Sequence, residues 1–170
     1  FLTYFDSFEI AKYLENIDSD DGADILSELT SEVRNKVILS IKDKEKAINL
    51  KDLLQYDDDV AGGLMAKEYV KCNVNWKISQ CINLIKKQAE KVSKIYSVYV
   101  TDDQGKLLGM VSLKDIIVAG DNSRIKDIYD DYVISVYSNM NEEDIAIIMQ
   151  KYDLDALPVI NKRGKLIGRI

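Results

Sequence analysis

The chain has 170 residues, of which 46% are hydrophobic and 31% are charged, so it contains enough apolar material for a buried core in one or two domains. Its formal net charge of −6 argues against nucleic acid as a partner, disfavours an anionic membrane surface and favours cations. It contains no histidine, the commonest residue of acid–base catalysis and zinc binding.

The first 55 residues repeat a helical pattern with a period of 12. The same pattern, with residues at positions i, i+3 and i+6, occurs in four segments, which start at Ala11, Ala23, Asn35 and Ala47. Apolar positions spaced in this way predict short helices, and Ser19 and Ser31 stand where N-caps are expected. A helix of two or three turns cannot bury its apolar face alone, so we expect the repeats to stack into a small helical domain with an acidic outer face.

A short connecting stretch follows these helices. Three consecutive aspartates, Asp57 to Asp59, precede two glycines, Gly62 and Gly63. One interpretation is a solvated linker with a flexible turn. Because glycine has wide freedom in φ and ψ, Gly62 and Gly63 are also a candidate hinge between the flanking domains.

The two cysteines, Cys72 and Cys81, are too few for a disulfide framework or a zinc site. We expect both to be small buried hydrophobes in a reducing compartment. No apolar run approaches the roughly 18 residues that span a bilayer. The chain begins without Met and stops at Ile170 within an expected strand, so we expect it to be part of a longer protein.

The second half contains a strand–turn–strand unit twice. Residues 100–111 recur as residues 159–170, with Gly105 and Gly164 at equivalent turn positions 59 residues apart. Upstream, a strand and an amphipathic helix also match, but at an offset of 63, because Val70 corresponds to Val133. The first copy therefore has four extra residues between about Ala89 and Tyr96. After its last strand it continues into a second helix that begins near Ser112.

This order resembles a CBS domain pair, built from two β-α-β-β-α units. The implied fold is α+β, with an N-terminal short-helix repeat domain, then a tandem CBS pair whose second unit is truncated at its C-terminal end. The expected limits are 1–55 for the helical domain, 56–63 for the acidic Gly-Gly linker, 64–126 for the first CBS unit and 127–170 for the second. The Ala-Gly-Gly-Leu-Met stretch at 61–65, with residues 95–100, 111–115 and 151–159, resembles the MgtE family of magnesium transporters.

The resemblance implies a regulatory region and not an enzyme. In the MgtE family, Mg²⁺ bridges carboxylates between the N domain and the CBS pair and favours the closed pore. The implied partners are a second copy, bound through the CBS domains, and a transmembrane pore domain of the same polypeptide. The implied location is the cytoplasmic face of the cell membrane, in a multi-pass parent protein.

Four carboxylates match acidic positions of that family: Asp20, Asp24, Glu143 and Asp153. Asp20 and Asp24 are four residues apart on an expected helix and so share a face. Asn141 stands where an acidic residue is usual in the family. Each of these residues is also open to a simpler interpretation, as a carboxylate at a helix start or on the surface that binds no ion.

An alternative function is that of a CBS module that binds ATP or another adenine nucleotide. Ser112 and Asp115 match the serine and the aspartate, three residues later, that hold phosphate and ribose in many CBS pairs. The same two residues also form an ordinary capping box at a helix start. Catalysis is the weakest alternative, because the sequence has neither a nucleophile motif nor a Walker loop.

Overall fold

The computed structural model describes residues 5–88, 95 and 97–170. The four extra residues predicted between Ala89 and Tyr96 lie outside this described part. The first third of the chain forms four helices: α1 (Ser7–Leu14), α2 (Ser19–Ser27), α3 (Ser31–Ser40) and α4 (Lys44–Leu53). The first three start 12 residues apart, which confirms the helical repeat.

The predicted N-caps at Ser19 and Ser31 are wrong by one residue. Asp18 and Thr30 occupy the cap positions, and neither side chain makes a capping hydrogen bond. By contrast, Asp6 forms a full capping box with Glu9, and Asp43 accepts two backbone N–H bonds at the start of α4. Helix α2 thus begins without a local side-chain cap, although the first turn of a helix leaves several N–H groups that need acceptors.

The four helices pack in alternate pairs, α1 on α3 and α2 on α4. Leu14, Leu26 and Leu50 are fully buried between them. Their apolar cluster continues through Met65 into the second half of the chain, where it includes Leu157 among other residues. The helical domain therefore shares one core with the second strand unit.

The second half contains two three-stranded sheets with the same topology. The first unit runs β1 (Val70–Asn73), α6 (Ile78–Gln88), β2 (Val98–Thr101), β3 (Leu107–Val111) and α7 (Leu113–Val118). A 3₁₀ turn (Ile125–Asp127) leads to β4 (Val136–Tyr137), α8 (Glu142–Tyr152), β5 (Pro158–Ile160) and β6 (Leu166–Arg169). In each sheet the first two strands are parallel and the last two antiparallel, and the register shift recurs at equivalent positions, after Val100 and after Val159.

The two units meet at the tips of their hairpins. Gly105 and Gly164 have positive φ values of 80° and 74°, as their turn positions predict. Leu107 N donates to Gly164 O, and Leu166 N donates to Gly105 O, so each turn pairs with the other. The first unit has its own apolar cluster, which includes the buried, free thiols of Cys72 and Cys81. In the described part of the chain, no helix has the length and apolar character needed to cross a membrane.

The connecting segment, which we define as residues 56–68, is packed and not a free linker. Gly62 and Gly63 lie in the short helix α5 (Ala61–Leu64), and neither has positive φ. A Cβ on Gly62 would come within 2.1 Å of the Tyr56 ring, and one on Gly63 within 2.3 Å of Asp57 O. The two glycines are thus required by close packing, and the flexible turn expected from the sequence is not observed.

Candidate functional site

An acidic surface lies where α2 faces the connecting segment. Burial and the neighbouring carboxylates of Asp21 and Asp18 raise the pKa of Asp20, against backbone hydrogen bonds that lower it. Asp24 is exposed, and partial desolvation followed by repulsion from Asp58, Asp21 and Glu28 raises the pKa of its carboxyl group. This surface therefore concentrates negative charge between the helical domain and the segment that leads to the strand units.

One atom of this surface has no hydrogen-bond partner. Asp20 Oδ1 is buried and unpaired, whereas buried polar atoms in proteins are nearly always hydrogen-bonded. A buried, unpaired carboxylate oxygen fits a cation, because carboxylates are preferred ligands of Mg²⁺.

The connecting segment joins this surface to the start of α8. Glu142 N donates to Asp59 O at 2.9 Å, and Val60 pairs with Asn141. Glu143 therefore lies in the helical turn that adjoins the connecting segment. Asn141 is the N-cap of α8, where its side chain accepts the Asp144 N–H. This capping role accounts for an asparagine at the position without any ion ligand.

Asp153 lies at the opposite end of the same helix. It follows the last residue of α8 in a left-handed conformation, with φ of 51°. Ten residues separate it from Glu143, which corresponds to about 15 Å along a helix. One ion cannot contact both carboxylates at that separation. The structure thus places Asp24 and Glu143 beside the connecting segment, Asp20 one helical turn from Asp24 on α2, and Asp153 at the far end of α8.

Asp153 lines a cleft between the two strand units. Ser97, Tyr99 and Met110 contribute from the first unit, and Leu154, Asp155 and Pro158 are among the lining residues from the second. The cavity measures about 180 Å³. That volume is below the roughly 300–1,000 Å³ typical of ligand sites, so the cleft cannot enclose a whole nucleotide.

Ser112 and Asp115 form a helix cap just beyond this cleft. Ser112 Oγ donates to Asp115 Oδ2 at 2.6 Å and accepts Asp115 N at 3.0 Å. Both residues are exposed at the start of α7, and neither is among the residues that line the cleft. Ser112 is thus the N-cap of α7, but Asp115 bonds to the Ser112 hydroxyl and not to its backbone N–H, so only half of the predicted capping box is observed. A ligand would have to compete with these hydrogen bonds.

The acidic surface is not a preformed multidentate metal site. Across the residues that the structure describes, no three acidic or cysteine side chains are grouped closely enough to hold a metal ion. Mg²⁺ retains several waters and needs only one or two direct carboxylates. A hydrated Mg²⁺ at this surface would need Asp20 or Asp24 as its direct ligand and would reach the other carboxylates through water.

The sequence interpretation missed a second charged cluster, which contains Ser19, Lys46 and Glu68. Glu68 Oε2 accepts hydrogen bonds from both the backbone N–H and the hydroxyl of Ser19, and Glu68 Oε1 pairs with Lys46 Nζ at 2.8 Å. No sequence signal marked this cluster, because Asp18 and Ser19 are both residue types that usually cap a helix locally.

Comparison with known families agrees with this architecture. Residues 1–59 match the MgtE intracellular N domain, and residues 60–121 and 125–170 match the CBS domain. The chain is 32% identical over 151 residues to a magnesium transporter MgtE of Thermus thermophilus, covering 88% of this chain and 34% of that protein. It is 38% identical over 124 residues to a magnesium transporter MgtE of Enterococcus faecalis, covering 73% of this chain and 27% of that protein. The chain thus spans between about a quarter and a third of the length of these relatives.

Two solved structures are also similar. The soluble part of a magnesium transporter has a TM-score of 0.89 at 33% identity, covering 99% of this chain and 66% of that one. The cytosolic domain of the Mg²⁺ channel MgtE in complex with ATP has a TM-score of 0.71 at 26% identity, covering 99% of this chain and 79% of that one. These likenesses confirm the predicted α+β fold and the expectation that the chain is not an enzyme. The chain belongs to the MgtE family, of which it comprises an intracellular N domain followed by a CBS domain pair.

Proposed function

We propose that this chain is the magnesium-sensing regulatory region of a homodimeric magnesium transporter or channel, at the cytoplasmic face of the cell membrane. The transmembrane pore belongs to the same polypeptide in this proposal. We retain the predicted division into a helical N domain at 1–55, a linker at 56–63 and CBS units at 64–126 and 127–170. The similarity to magnesium transporters supports this assignment.

The observation that carries the proposal is the uncompensated charge at the acidic surface. Asp20 has a buried unpaired oxygen, and repulsion from the carboxylate of Asp58, on the connecting segment, contributes to the raised pKa of Asp24. Bound Mg²⁺ supplies the positive charge that turns this repulsion into attraction. Because the ion binds the docked arrangement preferentially, that arrangement gains stability with the logarithm of ion concentration.

The test compares MgCl₂ with NaCl at matched ionic strength. The thermal midpoint of the wild type should rise more in millimolar MgCl₂ than in NaCl, because monovalent ions screen repulsion but cannot bridge carboxylates. Asp20→Asn with Asp24→Asn should abolish the difference. A control with the same charge change, Asp127→Asn with Asp131→Asn on exposed positions, should preserve it. Equal responses of the wild type to both salts would contradict magnesium binding.

Single substitutions test the roles of the other two proposed carboxylates, Glu143 and Asp153, one at a time. Glu143→Gln should weaken the magnesium response, because Glu143 lies beside the connecting segment. Asp153 is proposed to act at a separate position, in the cleft between the CBS units. Asp153→Asn should therefore leave the response of the Asp20 surface intact, and loss of that response in Asp153→Asn would refute the separation of the two positions.

The proposed dimer contact is the exposed apolar face of the CBS helices. Ile117 and Val118 of α7 are 78% and 77% exposed, and Ile147 of α8 is 59% exposed. Ile117→Asp with Ile147→Asp should shift sedimentation from dimer to monomer. Leu39→Asp, on an N-domain residue that is 81% exposed, is the matched control and should leave the dimer intact. A wild-type monomer at high micromolar concentration would contradict this contact.

A second candidate function is binding of ATP or another adenine nucleotide at the cleft between the CBS units. The cleft residue Met110 offers apolar surface to a base, and a structural relative was solved with ATP. Calorimetric titration with ATP and adenosine tests it. Met110→Asp should remove binding of both ligands. If Ser112 and Asp115 leave their cap to hold phosphate and ribose, Ser112→Ala should weaken ATP alone, whereas Asp115→Asn should weaken both ligands, because adenosine carries the ribose but no phosphate. Absence of heat with the wild type would refute the site.

A further inference from the structure

Helix α2, which carries Asp20 and Asp24, is capped by a residue from outside the N domain. Asp18 stands at the N-cap position, but its side chain makes no capping hydrogen bond. The Ser19 N–H donates instead to Glu68 Oε2 at 3.0 Å, and the buried Ser19 hydroxyl donates to the same oxygen at 2.7 Å. Because the helix dipole favours a negative charge at a helix N-terminus, Glu68 stabilises the turn in which Asp20 lies.

The backbone of Glu68 belongs to the CBS side of the molecule. Two residues earlier, Ala66 pairs with Arg169 of β6 through two backbone hydrogen bonds, of 2.7 and 3.0 Å. Arg169 Nε also donates to Glu68 O at 3.0 Å. The second CBS unit therefore holds the backbone of Glu68, while its side chain reaches the N domain. Separation of the N domain from the CBS pair has to break the contacts of this side chain.

A lysine of the N domain supplies the counter-charge. Lys46 Nζ of α4 pairs with Glu68 Oε1 at 2.8 Å, and the two side chains are only 10% and 13% exposed. Burial by itself would raise the pKa of Glu68, but the hydrogen bonds from Lys46 and Ser19 outweigh it and lower the pKa. Each carboxylate oxygen of Glu68 thus has a donor from the N domain. Glu68 is ionised and paired where the two domains meet.

We propose that Glu68 is a positioning residue for magnesium sensing, which holds the first turn of α2 from the CBS side and so sets the magnesium concentration at which the domains dock. This inference rests on the proposed function, in which docking requires the ion. When the domains are apart, water hydrates Lys46 and Glu68, so their contact stabilises only the docked arrangement. The ion stabilises the same arrangement, so a weaker Glu68 contact has to be offset by more magnesium.

The experiment follows docking as a function of magnesium concentration, by energy transfer between dyes attached to Leu39→Cys and Lys162→Cys. Both positions are exposed, one in the N domain and one in the second CBS unit, and the native thiols are buried. Labelled protein is diluted with unlabelled protein, so that transfer within one chain dominates. Transfer in the wild type should change between two levels as MgCl₂ is added, and NaCl at matched ionic strength should not reproduce the change.

Weakening the Glu68 contact should move the magnesium midpoint and leave the end point unchanged. Glu68→Gln or Lys46→Met strands the charge of the other partner in the docked arrangement, so the midpoint should rise roughly tenfold or more, with wild-type transfer at saturating MgCl₂. The double variant buries a neutral pair of similar size and should return towards the wild-type midpoint. Ser19→Ala strands no charge and should shift the midpoint less. Glu32→Gln with Lys36→Met, whose side chains are 79% and 61% exposed, is the matched control and should not shift it.

Thermal unfolding in EDTA separates positioning from a general loss of stability. Under this proposal the domains are apart in EDTA, so Glu68→Gln should unfold at the wild-type thermal midpoint. A clearly lower midpoint there would assign Glu68 a structural role within the fold and overturn the proposal.

The titrations distinguish this inference from magnesium sensing itself. A wild-type magnesium midpoint in Glu68→Gln would overturn the positioning role and leave magnesium sensing intact. A shift in Glu68→Gln that Lys46→Met does not reverse would also overturn it, in favour of Glu68 as a direct ligand of the ion. A wild type with the same transfer in EDTA and in MgCl₂ would overturn the proposed function, and this inference with it.

Discussion

Close packing at Gly62 provides a direct test of whether the connecting segment is a structural element or a free hinge. In Gly62→Ala the added methyl would overlap the Tyr56 ring, with the nearest carbon at 2.1 Å. Overpacking of this kind costs about 1–3 kcal/mol. Alanine regains up to about 1 kcal/mol of helix propensity in α5. The expected net loss is therefore about 1–2 kcal/mol.

Urea unfolding measures this loss. With a slope of about 2 kcal/mol/M, the middle of the usual range, the midpoint should fall by roughly 0.5–1 M in Gly62→Ala. Gly120→Ala is the matched control, because the nearest atom to its Cβ is Ser123 Oγ at 3.9 Å and its φ is not positive. That control should change the midpoint little or raise it slightly.

A third variant separates the steric cost of an added Cβ from the cost of an unfavourable backbone conformation. Gly105 has open space around its missing Cβ but a φ of 80°, so Gly105→Ala should lose about 1 kcal/mol from backbone strain alone. If Gly62 served only as a flexible hinge, Gly62→Ala would have the same folding stability as the wild type. Equal midpoints for Gly62→Ala and Gly120→Ala would therefore refute the packing argument.

Two further predictions concern charge and capping. The pKa values of Asp20 and Asp24 are raised above 3.8 in the folded state, so folding favours their protonated forms; the stability they confer is complete below that pH and is lost as pH rises through the raised pKa. Asp24→Asn should accordingly raise the thermal midpoint at pH 7 in EDTA, and the gain should vanish near pH 3.8. A lower midpoint of the variant at pH 7 would contradict the predicted direction of the pKa effect. Arg34 donates to three carbonyls at the end of α2, those of Leu26, Ser27 and Leu29. Lysine cannot form this set of hydrogen bonds, so Arg34→Lys should lower the free energy of unfolding in urea by about 1–2 kcal/mol. Lys36→Met, which removes only an exposed ion pair, should change it by no more than about 0.5 kcal/mol. Equal losses in the two variants would refute a capping role for Arg34.

The sequence by itself determined the elements that depend on local pattern. The period of 12 indicated four helices because apolar side chains three or four residues apart share one helix face. The repeated hairpins indicated two equivalent sheets, and Gly105 and Gly164 marked their turns, because a left-handed conformation is inexpensive for glycine alone. The acidic patch on α2 was visible for the same reason, since Asp20 and Asp24 lie one turn apart.

Tertiary structure alone decided which of these surfaces meet. Ser19 resembles an N-cap locally, yet its buried hydroxyl bonds to residues 48 and 49 positions later in the chain. Gly62 resembles a hinge, yet it is held by the ring of Tyr56. Asp153 and Glu143 belong to one helix, but its length sets them at opposite ends. Hydrogen bonds, packing and charge repulsion act over a few ångströms of space. Positions in the sequence do not show which residues come that close, because this is decided only when the helices and sheets pack together.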